Sequence, residues 1–243
     1  MAYSQVTPLA GQYQQSFANI PDAIQREILG TTLQAVDNYW GAGKFMYVQF
    51  PASAAILQGQ LVTVSGFGGS AGYSAAVASN AANTGRQLYV AHFPVPSVAS
   101  VQYGWVQVSG NAIVKTTASV AAGTTIGIDA ATGGSAAANS AGRQLLGAVS
   151  LAASTFTVVK PNVTTQNGSP IIRAQNVDGW FVGATMTGTG ISGTITVIDY
   201  DSRTVTLSVN ATATGTVSVT ATYTGFLGVQ VGDGGLYLQG SIT

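Results

Sequence analysis

From Tyr39 onward, apolar and polar residues alternate with period two in short runs, each stopped by Gly, Pro or Asn. Lys44-Phe45-Met46-Tyr47-Val48-Gln49-Phe50 ends at Pro51, and Gln60-Leu61-Val62-Thr63-Val64-Ser65 ends at Gly66-Phe67-Gly68-Gly69. Residues 88–93, 105–109, 112–116, 125–129, 144–149 and 155–159 continue the series. Successive side chains of an extended strand point to opposite faces, so this spacing predicts strands with one buried face. Gly110-Asn111, set between two such runs, predicts a hairpin turn.

A polar join over 161–169 separates this series from a second one. There, 194–199 and 203–208 flank a turn at Tyr200-Asp201-Ser202, and 217–223 alternates throughout. Runs at 227–231 and 236–238 close the chain; they are expected to return to the first series, because the second already ends at Tyr223. Many short strands joined by Gly-rich turns predict an all-β sandwich or barrel-like domain with a second small β-module.

The first 38 residues read differently. Met1 to Ala18 is polar with isolated aromatics (Tyr3, Tyr13, Phe17), which fits an extended arm that orders on a partner, or a frayed terminus. Ile20, Ile24 and Ile28 recur at helical spacing after Pro21 and Asp22, which suit a first turn, and Gly30 suits a stop. One short helix is expected there, with a loose extension over 31–38. The expected organisation is therefore an arm and helix over 1–38, a β domain over 39–162, a second module over 163–224, and closing strands over 225–243.

Composition narrows the function. Only 7% of the 243 residues are charged, and eight basic residues balance eight acidic ones. A typical domain is about 25% charged. A neutral surface argues against nucleic acid, which requires a basic field, and it removes the repulsion that opposes self-association. No apolar run is long enough for a membrane span, and the first residues lack the pattern of a secretory signal. The chain has one His and no Cys, so no disulfide or thiolate metal site is expected.

Candidate chemistry is correspondingly thin. His92 sits in a strand run without an acid or Ser partner and reads as structural. Asp199 and Asp201 lack the further oxygen ligands of a calcium loop and read as turn formers. Gly66-Phe67-Gly68-Gly69 and Gly188-Thr189-Gly190 have no following helix or Walker lysine, and read as turns rather than phosphate cradles. No catalytic residue, metal or cofactor is expected, and the chain reads as a structural or adhesive protein rather than an enzyme. Asn83-Thr84-Gly85-Arg86-Gln87-Leu88 is echoed by Ser140-Ala141-Gly142-Arg143-Gln144-Leu145. An Arg at each strand start is expected to anchor a loop carbonyl or contact a neighbouring subunit. Trp40 and Trp105 join Arg86 and Arg143, with the arm aromatics, as candidate contact residues, because Trp and Tyr are enriched in interface hot spots.

Residues 104–115, opening Gly104-Trp105-Val106-Gln107-Val108, together with 120–129, which end at Ile128-Asp129, resemble the small β domain of tailed-bacteriophage capsid decoration (cement) proteins. Residues 142–149 match the same style, and the likeness covers about 43–160. Residues 186–191 and 205–214 are similar to a β-module of phage structural and tail proteins. The resemblance implies a virion protein on the outer capsid surface, binding the major capsid protein and bridging its subunits as a homotrimer at local three-fold positions. The long N-terminal segment and the second module depart from the smallest members. The alternative is a head fibre or adhesin that stacks host glycan on Trp180, Phe181 or Tyr200. A major capsid protein would need a long spine helix that this sequence lacks, and a depolymerase would need paired acids.

Overall fold

The computed structural model describes residues 4–5, 21–37, 41–66, 72–151, 155–199 and 202–240. Among them the chain is all-β, with eighteen strands and no helix. In order these are β1 (Ser4–Gln5), β2 (Thr32–Asp37), β3 (Gly41–Phe50), β4 (Leu61–Ser65), β5 (Ser74–Val77), β6 (Gln87–Ala91), β7 (Gln102–Lys115), β8 (Thr125–Ile128) and β9 (Ala136–Ala138). Then come β10 (Gln144–Ser150), β11 (Thr155–Thr165), β12 (Ile171–Arg173), β13 (Thr185–Gly188), β14 (Ile191–Asp199), β15 (Thr204–Leu207), β16 (Gly215–Thr224), β17 (Phe226–Val231) and β18 (Leu236–Leu238). The chain divides into two compact units: Thr155–Thr224 belongs to one, Ala42–Ser154 and Gly225–Thr243 to the other.

The larger unit is built from two rings of strands with a common wall. In the first ring β3 pairs with β7, β7 with β6, β6 with β4, and β4 with β5. Strand β5 then returns to β3 in parallel at Gln49↔Ser74. In the second ring β7 pairs with β17, β17 with β10, β10 with β18, and β18 with β6. The sequence of β6 explains the common wall. Its run Leu88-Tyr89-Val90-Ala91 has no polar face, and every one of these side chains is buried. Tyr89 and Ala91 enter one core with Val48, Phe50 and Val106, while Leu88 and Val90 enter the other with Leu145, Val229 and Leu236. A strand covered on both faces loses its alternation, as β6 has.

Strand β7 joins the rings by changing partners midway. Before Gly110 it pairs with β3, and from Gly110 to Lys115 it pairs with β17. The expected hairpin at Gly110-Asn111 is therefore absent, and one continuous strand runs through these residues. Gly110 has φ +92°, and a Cβ there would lie 2.2 Å from the Ala42 carbonyl oxygen. Its left-handed backbone bends the strand at a register shift rather than reversing it.

The expected helix is also absent. Asp22 instead joins Tyr103 in a β-bridge (N–H to O 3.0 Å, and 2.8 Å in return), which fixes the backbone extended where a first helical turn would begin. The Asp22 carboxylate accepts from the Ile24 N–H at 3.0 Å, a local turn that competes with helix formation. Residues 32–37, expected as a loose helical extension, form β2. Gly30 does leave the region with φ +85°, stacked under the Tyr73 ring where no Cβ would fit.

The smaller unit contains a closed barrel in the order β11-β12-β15-β14-β13-β16. Its entry and exit lie side by side at Thr155↔Thr224. The polar join expected from residue 161 is inside β11, where Pro161 and Asn162 (φ +57°) form a bulge between Lys160 and Val163. A bulge is where a strand tolerates a residue lacking an N–H.

Candidate functional site

The segment 21–30 is strapped onto the first ring at several points. Pro21 is buried over Gly104, where an added Cβ would meet the ring carbons at 3.5 Å. The Arg26 N–H donates to the Tyr47 hydroxyl at 3.1 Å, and the Gly30 N–H donates to the Tyr47 carbonyl at 2.8 Å. Arg26 also pairs with Asp22 through both Nε and Nη2. The Ile24 N–H, and then the Arg26 guanidinium, hold the Asp22 carboxyl below the usual carboxylate range. Burial pushes the Tyr47 phenol above its ordinary value. The strap leaves Ile24 and Ile28 with 63% and 79% of their surface in water. Trp105 lies beside this anchor: it pairs directly with Tyr47 across β7 and β3, and the two rings meet edge-on at 5.1 Å.

A second apolar surface lies on the second ring. Along β10, Leu145, Ala148 and Ser150 point inward, while Leu146 and Val149 point out, and Leu151 just beyond the strand is also exposed. Gly147 (φ +79°) carries the irregularity that keeps both sets aligned. Tyr237 of β18 sits directly opposite Leu146 on one side and Gln87 on the other. The exposed stripe Leu146, Val149, Leu151 and Tyr237 carries no charge of its own.

The two echoed segments meet in space. Strand β18 lies between them, with Leu236 opposite Leu88 and Leu238 opposite Leu145. Gly85 and Gly142 both adopt positive φ, and the Asn83 N–H donates to the Gly142 carbonyl at 2.7 Å. Arg143 anchors a loop carbonyl, donating from Nε to Asn80 O at 3.2 Å. Arg86 is exposed, and its own carbonyl accepts from Leu238 at 2.9 Å.

Asp129, which ends the strand of the decoration-like motif, caps the loop that follows. Its Oδ1 accepts from the N–H groups of Ala131 (2.7 Å) and Thr132 (2.6 Å), and its Oδ2 accepts from the Thr117 hydroxyl (2.5 Å). The Thr117 hydroxyl first, then the backbone donors, keep this carboxyl low.

The remaining candidates separate clearly. Trp180 and Phe181 are fully buried in the barrel; Phe181 stacks on Tyr223 at 3.9 Å, and Lys160 lies 5.5 Å from the Trp180 ring centre. They are core, and neither is a platform for a sugar. His92 is buried with its ring edge-on to Phe45 and Phe93. Asp199 accepts from the Ser202 N–H at 3.1 Å, as a turn former does. Among the described residues no three His, Cys, Asp or Glu side chains gather as metal ligands would. An open cleft of about 310 Å³ is lined by Gln34, Lys44, Ser109 and Asp233. Tyr3, Tyr13, Phe17, Trp40, Tyr200 and Asp201 lie outside the described residues.

The periodicity of residues 20–28 pointed to a buried helical stripe and so missed the exposed isoleucines. The stripe on β10 was legible in principle, because Leu145-Leu146-Gly147-Ala148-Val149 offers no polar face to water. No protein family, curated protein or solved structure matches this chain.

Proposed function

We propose that this protein is a virion structural component that binds the outer surface of an icosahedral phage capsid and bridges neighbouring major capsid subunits as a homotrimer. The observation that carries the reading is a pair of uncharged apolar surfaces held out of water on well-anchored backbone, in a chain with very few charges. Contiguous exposed apolar groups mark contact surfaces. The sequence resemblance supplies the identity of the partner. A ligand that binds only the assembled shell stabilises it by mass action, and three linked binding sites add avidity. The glycan-binding alternative is weakened, because Trp180 and Phe181 are fully buried.

The test is to mix purified protein with empty phage shells, then measure bound copies and the shell melting temperature. Saturable decoration with a raised melting temperature is expected, and deletion of Met1 to Asn19 should weaken binding while leaving the fold intact. A folded protein that leaves shells bare, or a truncated one that fills them normally, overturns the respective part of the reading.

A further inference from the structure

Ile24 and Ile28 sit on the strap over the first ring, which is fixed at Tyr103 and Tyr47. Leu146, Val149, Leu151 and Tyr237 form the stripe on the second ring, each with 40–45% of its surface exposed. Both sets belong to the same compact unit, and each is exposed there, so neither covers the other. The strap is not a loose tail that could fold its isoleucines away, since backbone hydrogen bonds pin it at both ends. Burying a large aliphatic side chain is worth roughly 1.5–3 kcal/mol, and that gain is forgone at every one of these positions in the lone chain.

We infer that a second copy of this chain covers the stripe, with Ile24 and Ile28 of one protomer seated on Leu146, Val149 and Leu151 of the next. Three features select this occupant. Strand β10 is already paired on both edges, by β17 and β18 on one side and β8 on the other, so its backbone has no room for an added strand and only its side-chain face is open. The residues opposite and beside the stripe, Gln87, Thr125 and Gln230, are uncharged, so they select an uncharged partner. The strap is such a partner, its one ion pair being satisfied within itself by Asp22 and Arg26. A contact between two different patches is heterologous, and repeating it closes a ring when the rotation allows. This deepens the homotrimer reading by naming the two surfaces that would make it, and it is tested on the protein alone, so its failure is separable from a failure to bind shells.

The test compares Ile24→Asp/Ile28→Asp with Leu146→Asp/Val149→Asp by mass photometry and light scattering, after circular dichroism and thermal melts show both folded. Ile24→Ser/Ile28→Ser and Leu146→Ser/Val149→Ser are the uncharged controls. Wild type should be a closed oligomer. Each double variant alone should weaken association by about 30-fold or more, as loss of a central hot spot does. An equimolar mixture of the two Asp variants should form a heterodimer and nothing larger, because it retains one intact contact. A monomeric wild type overturns the inference. So does an oligomer that survives the strap variant but not the stripe variant, which would mean stripe packs on stripe. A mixture that stays monomeric at high concentration overturns it as well.

Discussion

Replacing Gly110 with Ala tests the joint between the two rings. Gly110 has φ +92°, and a left-handed backbone costs a residue with a Cβ about 1–2 kcal/mol. The new methyl carbon would also lie 2.2 Å from Ala42 O and 2.7 Å from Gly43 Cα. Both atoms are backbone of β3, so relief means moving a strand, and forced overpacking adds about 1–3 kcal/mol. The expected loss is about 2–5 kcal/mol, a fall of about 5–15 °C in melting temperature for a protein of this size. Gly123→Ala is the control: its φ is +75°, but nothing lies within 4 Å of the added carbon. It carries the conformational term alone, about 1–2 kcal/mol. Thermal unfolding of the two variants side by side separates clash from strain. A third variant checks the path of the chain. Asn111 pairs with Gln230 inside a continuous strand, so Asn111→Thr should change stability by less than about 1 kcal/mol. Equal melting temperatures for Gly110→Ala and Gly123→Ala, or a large loss at Asn111→Thr, would refute the account of β7 as a bent strand.

Two further expectations follow from buried and capped groups. In Tyr223→Phe the barrel loses the phenol that donates to Gly179 O at 3.0 Å and accepts from the Phe181 N–H at 3.3 Å; the buried groups left behind should cost about 1–3 kcal/mol in denaturant titrations, and an unchanged midpoint would show that the phenol is dispensable. Asp129 titrates lower in the folded chain than in the unfolded one, so its contribution is present above the ordinary carboxylate pKa and is lost as pH falls through the depressed value. The melting-temperature gap between wild type and Asp129→Asn should therefore narrow from neutral pH towards about pH 3, and a gap that stays constant or widens would contradict the cap.

Where local spacing and tertiary packing agreed, the fold could be read from residues. The period of two in 44–50, 61–65 and 217–223 corresponds to strands with one buried face. The loss of alternation in Leu88-Tyr89-Val90-Ala91 could have shown a strand between two cores, but an apolar run does not reveal how many cores it serves. Ile20, Ile24 and Ile28 misled because a β-bridge and a side-chain turn at Asp22 outweigh helical spacing in a short segment. Gly110-Asn111 misled because a positive φ serves a bend as well as a reversal, and only the partner strands decide which. The contact surfaces were least legible, since the burial of an apolar residue depends on neighbours remote in sequence. Arg143 was readable as a loop anchor from its place at a strand start, whereas the stripe beside it depends on β17 and β18 arriving from the end of the chain.

The common wall of β6 and β7 has a mechanical consequence. Neither ring can be pried open without stripping two strands from the other, so the unit has no partially failed form in which one half still holds. A pull applied at the strap enters through β3 and the start of β7, and it travels along one unbroken backbone into the strands that carry the stripe. Tension arriving at one contact surface is thereby delivered to the other through covalent bonds rather than through a hinge. A component built this way behaves as a rigid bracket, whose two attachment points must move together or not at all.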